Sequence, residues 1–309
     1  MSIFTVPEEL AGQRADSGLS KISGISRAKL AEAIEAGEVF IAGKPANKSQ
    51  KLNMGQLVEI KISEPTPIKL EPVSDSRLKV VFEDEAIVVI DKPAGVVSHP
   101  TVGFVGPSVP EILLGLGIEL STSGASERQG VVQRLDVGTS GLMTLAKNEK
   151  SYSILKQMFR DREVKKTYHA IVQGHLDPPT GTIDSPIARS AKHEYKFRVA
   201  GDGKPSVTHY DTLEVFPGAT LVSVGLETGR THQIRVHFDA FRHPLVGDDL
   251  YGANPKIATK LGLERQWLHA VGLEFRHPLS GDWVSFESKY PEDLESSIEI
   301  LRTGGISFD

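Results

Sequence analysis

The 309-residue chain contains no cysteine, which removes disulfides, thiolate metal sites and a thiol nucleophile in one step. That absence does not fix a compartment. The chain also lacks an uninterrupted apolar run of about 18 residues, the length needed to span a bilayer. Its start, Met1-Ser2-Ile3-Phe4-Thr5-Val6-Pro7, has neither the basic end nor the apolar stretch of an export signal. No membrane class is expected, and the cytoplasm is the expected location. An excess of positive charge is missing too, since the formal net charge is -5. A protein that binds phosphates normally presents a basic surface, so any such partner must be met by local charge. Basic residues do cluster, at Lys147 and Lys150, at Arg160, Arg162, Lys165 and Lys166, and at Arg189, Lys192, Lys196 and Arg198. Acid concentrates between Glu287 and Glu299. Each cluster taken singly is an ordinary solvated face.

A ligand set for a metal is not visible among the ten histidines. On a strand, His232 and His237 would point to opposite faces, and His243 precedes a proline, so no metal dependence is expected. Gly201-Asp202-Gly203-Lys204 lacks the length and the following Ser or Thr of a phosphate-binding loop. It reads as a turn.

With 39% hydrophobic residues, the chain has material for a sizeable core and for one large domain beside a small one. The small unit is expected over residues 1–63. Asp16 and Ser26 are plausible helix starts, and Leu30, Ala33 and Ile34 form one apolar stripe that Gly37 terminates. Val39-Phe40-Ile41 then leads into a turn at Gly43-Lys44-Pro45, with a return strand at residues 57–60. Residues 64–78, rich in proline and without periodicity, read as a linker. From residue 79 to 309 the chain becomes strand-rich, with expected strands at 80–82, 87–90, 142–145, 169–172, 207–215, 221–226 and 231–238. A helix is expected at about 149–160, with Tyr152, Leu155, Lys156 and Phe159 on one side, and a short apolar helix at 109–116. Strand runs with few crossover helices indicate an α+β fold with a large mixed sheet. The related stretches 242–248 and 276–282, each Arg-His-Pro-Leu followed by Gly-Asp, read as turns, the second as a hairpin loop without chemistry.

Three separated stretches carry chemistry. The first is Gln133-Arg134-Leu135-Asp136, followed by Thr139-Ser140-Gly141; the second is Lys165-Lys166-Thr167-Tyr168; the third runs from Thr228 and Gly229 through Arg230, Gln233 and Arg235 to His237. If residues 231–238 are a strand, alternation places Ile234, Val236 and Phe238 on an apolar face and Thr231, Gln233, Arg235 and His237 on a polar one. Arg235 would then project a planar fork suited to a carboxylate. Tyr168 would share a face with Ala170 and Val172. In this order, together with Asp91-Lys92-Pro93-Ala94-Gly95 and His243-Pro244-Leu245-Val246-Gly247-Asp248, these stretches resemble the RluA-type pseudouridine synthases over most of the chain. The helix and turns of residues 1–63 resemble the small RNA-binding domain shared with ribosomal protein S-four, which precedes the catalytic domain in RluD-like members.

The resemblance implies a large mixed, mainly antiparallel sheet of the pseudouridine synthase type, preceded by a small α/β RNA-binding domain. It implies an isomerase that needs no external cofactor and takes uridine to pseudouridine in structured RNA, with large-subunit ribosomal RNA as the expected substrate and transfer RNA as the other. Asp136 is then the nucleophile, Arg235 its bidentate partner, and Tyr168 the ring that stacks on the base and takes the C5 proton. The nucleotide must be flipped out, and Arg134 would fill the vacated stack. Gln133, Thr139, Arg230 and Gln233 are expected to contact RNA near the site, and Arg27 and Lys29 from the small domain. Gln133 departs from the family pattern, where histidine is usual. A monomer is expected. Two rival readings are a non-catalytic RNA-binding ribosome-assembly factor and a small-substrate glycosidase, which would need a second carboxylate such as Glu227.

Overall fold

The computed structural model describes residues 2–25, 27–61, 70–100, 104–124, 128–193 and 195–304, without the side chains at 27–29. The chain falls into two compact units, Met1–Pro67 and Ile68–Asp309. In the first, β1 (Ser2–Thr5) precedes two helices, α1 (Ala15–Ser23) and α2 (Arg27–Glu35), and these are followed by β2 (Val39–Ile41), β3 (Lys44–Pro45) and β4 (Leu57–Ile60). The four strands form an antiparallel sheet in the order β1-β4-β2-β3. The apolar stripe does what its spacing requires: Leu30, Ala33 and Ile34 are buried against Leu19, Val39, Leu52 and Val58. The turn after β2 sits one residue earlier than expected, because Ala42 and Gly43 both take positive φ and Lys44 already belongs to the return strand. β1 carries no clear alternation and was not legible as a strand. Ser26 and the side chains of Arg27 and Lys29 lie outside the described residues, as do residues 62–69 of the expected linker.

The second unit is built on a nine-stranded sheet. Its strands are β5 (Lys79–Glu83) and β6 (Ile87–Lys92); then, after α3 (Val109–Gly115), β7 (Ser140–Ala146); and, after α4 (Glu149–Asp161), β8 (Lys165–Gln173) and β9 (Thr180–Asp184). A separate two-stranded ribbon follows, β10 (Ile187–Arg189) with β11 (Phe197–Val199). The sheet resumes with β12 (Val207–Phe216) and β13 (Ala219–Leu226), which lead to α5 (Gln233–Ala240) and α6 (Pro255–Lys260). The chain closes with β14 (Leu268–Arg276), β15 (Trp283–Glu287) and α7 (Glu292–Arg302). The order is β5-β6-β7-β14-β8-β13-β12-β9, with β15 on β14. Every pairing is antiparallel except β14 with β7, so the sheet is mixed and mainly antiparallel, as expected. A late strand, β14, thus joins the three early strands β5, β6 and β7 to a later group.

Both helices expected in this unit form. A capping box starts α3, with the Ser108 backbone N–H and hydroxyl donating to Glu111 at 2.9 and 2.6 Å, and Asn148 caps α4 by accepting from the Ser151 amide at 2.9 Å. The expected strand at residues 231–238 is a correction, because those residues form a turn and then α5. Period-two alternation of Ile234, Val236 and Phe238 looks like a half-buried strand, but every residue from Gln233 to Phe238 is buried. A short helix enclosed on all sides shows no polar face, so the periodicity that would reveal it is absent. β14 escaped notice for a related reason: a bulge between Ala270 and Gly272 interrupts its alternation. The second His-Pro-Leu stretch does form the loop of the β14–β15 hairpin.

Candidate active site

The loop that carries Asp136 leads into β7 and is pinned at several points. Ser98 Oγ donates to the Leu135 carbonyl and accepts from its amide, both at 2.8 Å, while the Gly95 amide donates to Val137 O at 2.8 Å and the Thr139 amide to Asp136 O at 3.0 Å. Beneath the loop lies Lys92, a fully buried lysine whose Nζ donates to Val96 O at 2.8 Å, Pro93 O at 3.0 Å and Val137 O at 3.5 Å. Burial pushes this amine down to about 7, although Asp136 pulls the other way. Gly141, with φ of +114°, lets β7 pass β14 so closely that a Cβ there would lie 2.3 Å from Ala270 O.

Against this loop α5 presents Arg235. Its guanidinium donates from Nε and Nη2 to the two oxygens of Asp248, at 2.6 and 2.8 Å, and from Nη1 to Asp136 Oδ2 at 3.2 Å. The bidentate partner is therefore Asp248, and Asp136 receives a single hydrogen bond, which corrects the expected fork onto Asp136. Arg235 reaches Asp136 from a helix and not from a strand face. Burial alone would loosen its proton, but the hydrogen bonds and charge of Asp248, then those of Asp136, raise Arg235 above its ordinary value. The ring of Tyr251 lies beneath, 5.0 Å from the guanidinium carbon.

Tyr168 on β8 is buried among Ala170, Val172 and Ala270 and lines the same cavity as Asp136. Burial, and after it the charge of Asp136, pushes its phenol well above the ordinary value. It is a neutral phenol and not a standing base. His232, the residue before α5, has φ of 57° and Nε2 3.9 Å from Asp136 Oδ2. Its imidazole is held below the ordinary value by burial, against the opposing pull of Asp136.

These groups line a cavity of about 580 Å³. Its rim carries Arg134, Arg160, Arg162, Lys166 and Arg230, all exposed except the half-buried Lys166. Gln133 also lines it and donates weakly to Leu142 O at 3.4 Å. Two expected RNA contacts reach the wall with their polar atoms already engaged. Thr139 is buried and accepts from Gln266 at 3.1 Å. Gln233 is buried, accepts from Thr228 Oγ1 and the Arg230 amide at 2.7 and 3.0 Å, and donates to Val207 O and Thr208 Oγ1 at 2.9 and 3.0 Å. It shapes the loop after β13 rather than offering a free amide. Sequence reasoning gave no site role to Asp248, Tyr251, His232 or Lys92; Asp248 ends the first His-Pro-Leu stretch, which was read as a turn and as part of the family resemblance but not as a partner of Arg235. Glu227 also lines the cavity, with its carboxylate bonded to Arg162 at 3.1 Å and to His209 at 2.8 Å. Among the described residues no group of three metal-binding side chains comes together, and no helix is long and apolar enough to cross a membrane.

Comparison with known proteins groups the chain with RNA pseudouridine synthases. A family model described as RNA pseudouridylate synthase matches residues 86–240, a span that holds Asp136, Tyr168 and Arg235 and ends before Asp248. An uncharacterized RNA pseudouridine synthase of Mycobacterium bovis is 50% identical over 97% of this chain and 98% of its own. A ribosomal large subunit pseudouridine synthase D of Xanthomonas campestris is 39% identical over 96% of this chain and 91% of its own. Among solved structures, human RNA Pseudouridylate Synthase Domain Containing 1 is similar with a TM-score of 0.59 and 26% identity, covering 74% of this chain and 90% of that one.

Proposed function

The chain belongs to the RNA pseudouridylate synthase family, and from that premise we propose that it isomerises uridines of large-subunit ribosomal RNA, with Asp136 as the group that attacks the flipped nucleotide. The names of relatives such as the Xanthomonas campestris protein support that substrate. The observation that carries the mechanism is the position of Asp136: in the cavity, 3.2 Å from an arginine whose other edge is locked by a buried carboxylate. Such a cation costs no reorganisation when charge develops beside it.

The isomerisation breaks the bond from N1 to the ribose, turns the uracil, joins C5 to the same carbon, and trades the proton lost from C5 for one gained at N1; atoms and electrons then balance without a redox partner. A paired uridine cannot reach Asp136, so it leaves its stack at a cost of a few kcal/mol, and Arg134 on the rim is placed to occupy the gap. The cavity lies within the range of roughly 300 to 1,000 Å³ typical of sites for one small ligand. Tyr168 offers its ring to the base. Because its phenol is neutral, it can take the C5 proton only while giving up its own, and the carboxylate in electrostatic reach is Asp136. Arg134 and Arg230 meet phosphates at the rim, and the unit Met1–Pro67 serves as an S-four-like RNA-binding domain through Arg27, Lys29 and Lys44. The protein acts as a monomer in the cytoplasm.

The test is Asp136→Asn, which keeps shape and removes the anion. Pseudouridine formation is expected to vanish while RNA affinity stays within about threefold, as for a group that acts in the transition state and not in binding. Substantial turnover by the purified variant would remove Asp136 from its role. Mapping pseudouridines in RNA from cells lacking the gene tests the substrate: sites lost only from transfer RNA would overturn the ribosomal reading.

A further inference from the structure

His232 adopts a left-handed backbone conformation that few non-glycine residues tolerate, with φ of 57°, at the entrance to a helix it does not cap through its side chain. Its ring is wedged edge-on between Phe197 and Tyr251. The hydrogen bonds around it determine its tautomer. The Phe197 amide donates to the Tyr251 hydroxyl oxygen at 3.0 Å, and that oxygen lies 2.8 Å from His232 Nδ1. Tyr251 is buried and held as a phenol, pushed up to about 12 chiefly by burial. Its proton is therefore satisfied by donation to Nδ1; were Nδ1 the donor, a buried hydroxyl proton would have no acceptor bonded to it among the described residues. Nε2 then carries the ring's hydrogen. That nitrogen faces the cavity 3.9 Å from Asp136 Oδ2, too far for a hydrogen bond and close enough that an atom seated on the carboxylate lies within reach of both.

We propose that His232 is a catalytic residue that donates a hydrogen bond from its Nε2–H to the departing uracil of the uridine held against Asp136. The inference rests on Asp136 as the attacking group. When the bond to the ribose breaks, its electron pair leaves with the uracil, and a fixed neutral donor is worth more to that anion than to the intact base. A neutral ring also leaves Arg235 as the cation facing Asp136, so the carboxylate keeps its reactivity. Tyr251 is a positioning residue in this scheme: its hydroxyl aims the imidazole, and its ring supports Arg235.

Two measurements on the full chain test the proposal. Long-range nitrogen–proton NMR of the imidazoles reads the tautomer of His232 directly, and Nε2–H is expected in the wild type. Single-turnover release of tritium from C5 is measured on RNA taken from cells that lack the gene and were grown with 5-tritiated uridine. His232→Phe, which keeps the ring and both edge contacts, is expected to slow release by about 10²-fold, the usual loss for one such donor, with affinity within about threefold. His232→Gln places an amide N–H where Nε2 was and is expected to recover about a tenth of the wild-type rate, on the same scale. Tyr251→Phe is expected to release the tautomer and slow the reaction. An Nδ1–H tautomer in the wild type, a normal rate for His232→Phe, or a loss lying wholly in affinity would overturn the proposal. Should His232→Phe fail to fold, an unchanged rate in Tyr251→Phe overturns it instead. Failure of the underlying reading is separate, since it would show as turnover in Asp136→Asn.

Discussion

Arg235 grips one carboxylate with two nitrogens and another with one, and this asymmetry separates structural from chemical loss. Asp248 is fully buried, whereas the Asp136 side chain is partly open to the cavity. Removing the charge from Asp248 leaves a buried guanidinium half-paired, a kind of change that costs about 3 kcal/mol or more. Asp248→Asn is therefore expected to lower the urea midpoint markedly as well as the rate, whereas Asp136→Asn should abolish the rate and leave the midpoint nearly in place. Equal midpoints for the two variants would mean that Asp248 does not support Arg235. The resemblance made Asp136 and Arg235 legible because their motifs are local in sequence. Asp248 was not, because Gly-Asp at the end of a turn is common and the second His-Pro-Leu stretch, with Asp282 in the same place, really is only a turn. What sets them apart is burial, which depends on the neighbouring α5.

At the level of elements, the expected strands form except at residues 231–238, while β1, β9, β10, β11, β14 and β15 were not expected. α5 is enclosed on all sides and β14 is interrupted by a bulge, so each loses the period by which an element is recognised. The sheet's central joint, β7 beside β14, includes a close backbone approach of Gly141 to Ala270 that no pattern of side chains records. Gly141→Ala puts a Cβ against Ala270 O in a left-handed backbone region. Strain of that kind costs roughly 1 to 3 kcal/mol before the displacement of β14 is counted. A fall of at least about 2 kcal/mol in unfolding free energy is expected, read by urea denaturation. A wild-type midpoint would show that the two strands can part without cost.

For the whole molecule, acid and length are the informative variables. His269 is fully buried, bonded through Nδ1 to Ser140 at 2.8 Å and through Nε2 to Ser288 at 3.0 Å, and burial lowers it from 6.5 to about 4. Between those values the unfolded chain takes up a proton that the folded chain refuses, so stability is lost as pH falls through that window. His169, His232 and His237 are shifted in the same direction, each chiefly by burial. From pH 7 to 5 His269 alone should cost about 2 kcal/mol, and His269→Gln should flatten the profile; an unchanged slope would show that the acid sensitivity lies elsewhere. Length separates the units. Each has its own apolar core, so a chain starting at Ile68 is expected to fold, keep the chemistry on short RNA, and bind long ribosomal RNA with lower affinity and a smaller salt dependence. Unchanged affinity and salt slope would deny Met1–Pro67 an RNA-binding role. The place of β14 in the sheet also gives the protein a timetable. Asp136 precedes β7, Tyr168 lies on β8, and the strand that joins β7 to β8 is made more than ninety residues later, from Leu268. During synthesis Asp136 and Tyr168 therefore belong to two sheet fragments that β14 has yet to bridge. A chain cut short before Leu268 would hold Asp136 and Tyr168 on fragments that no strand of the sheet joins.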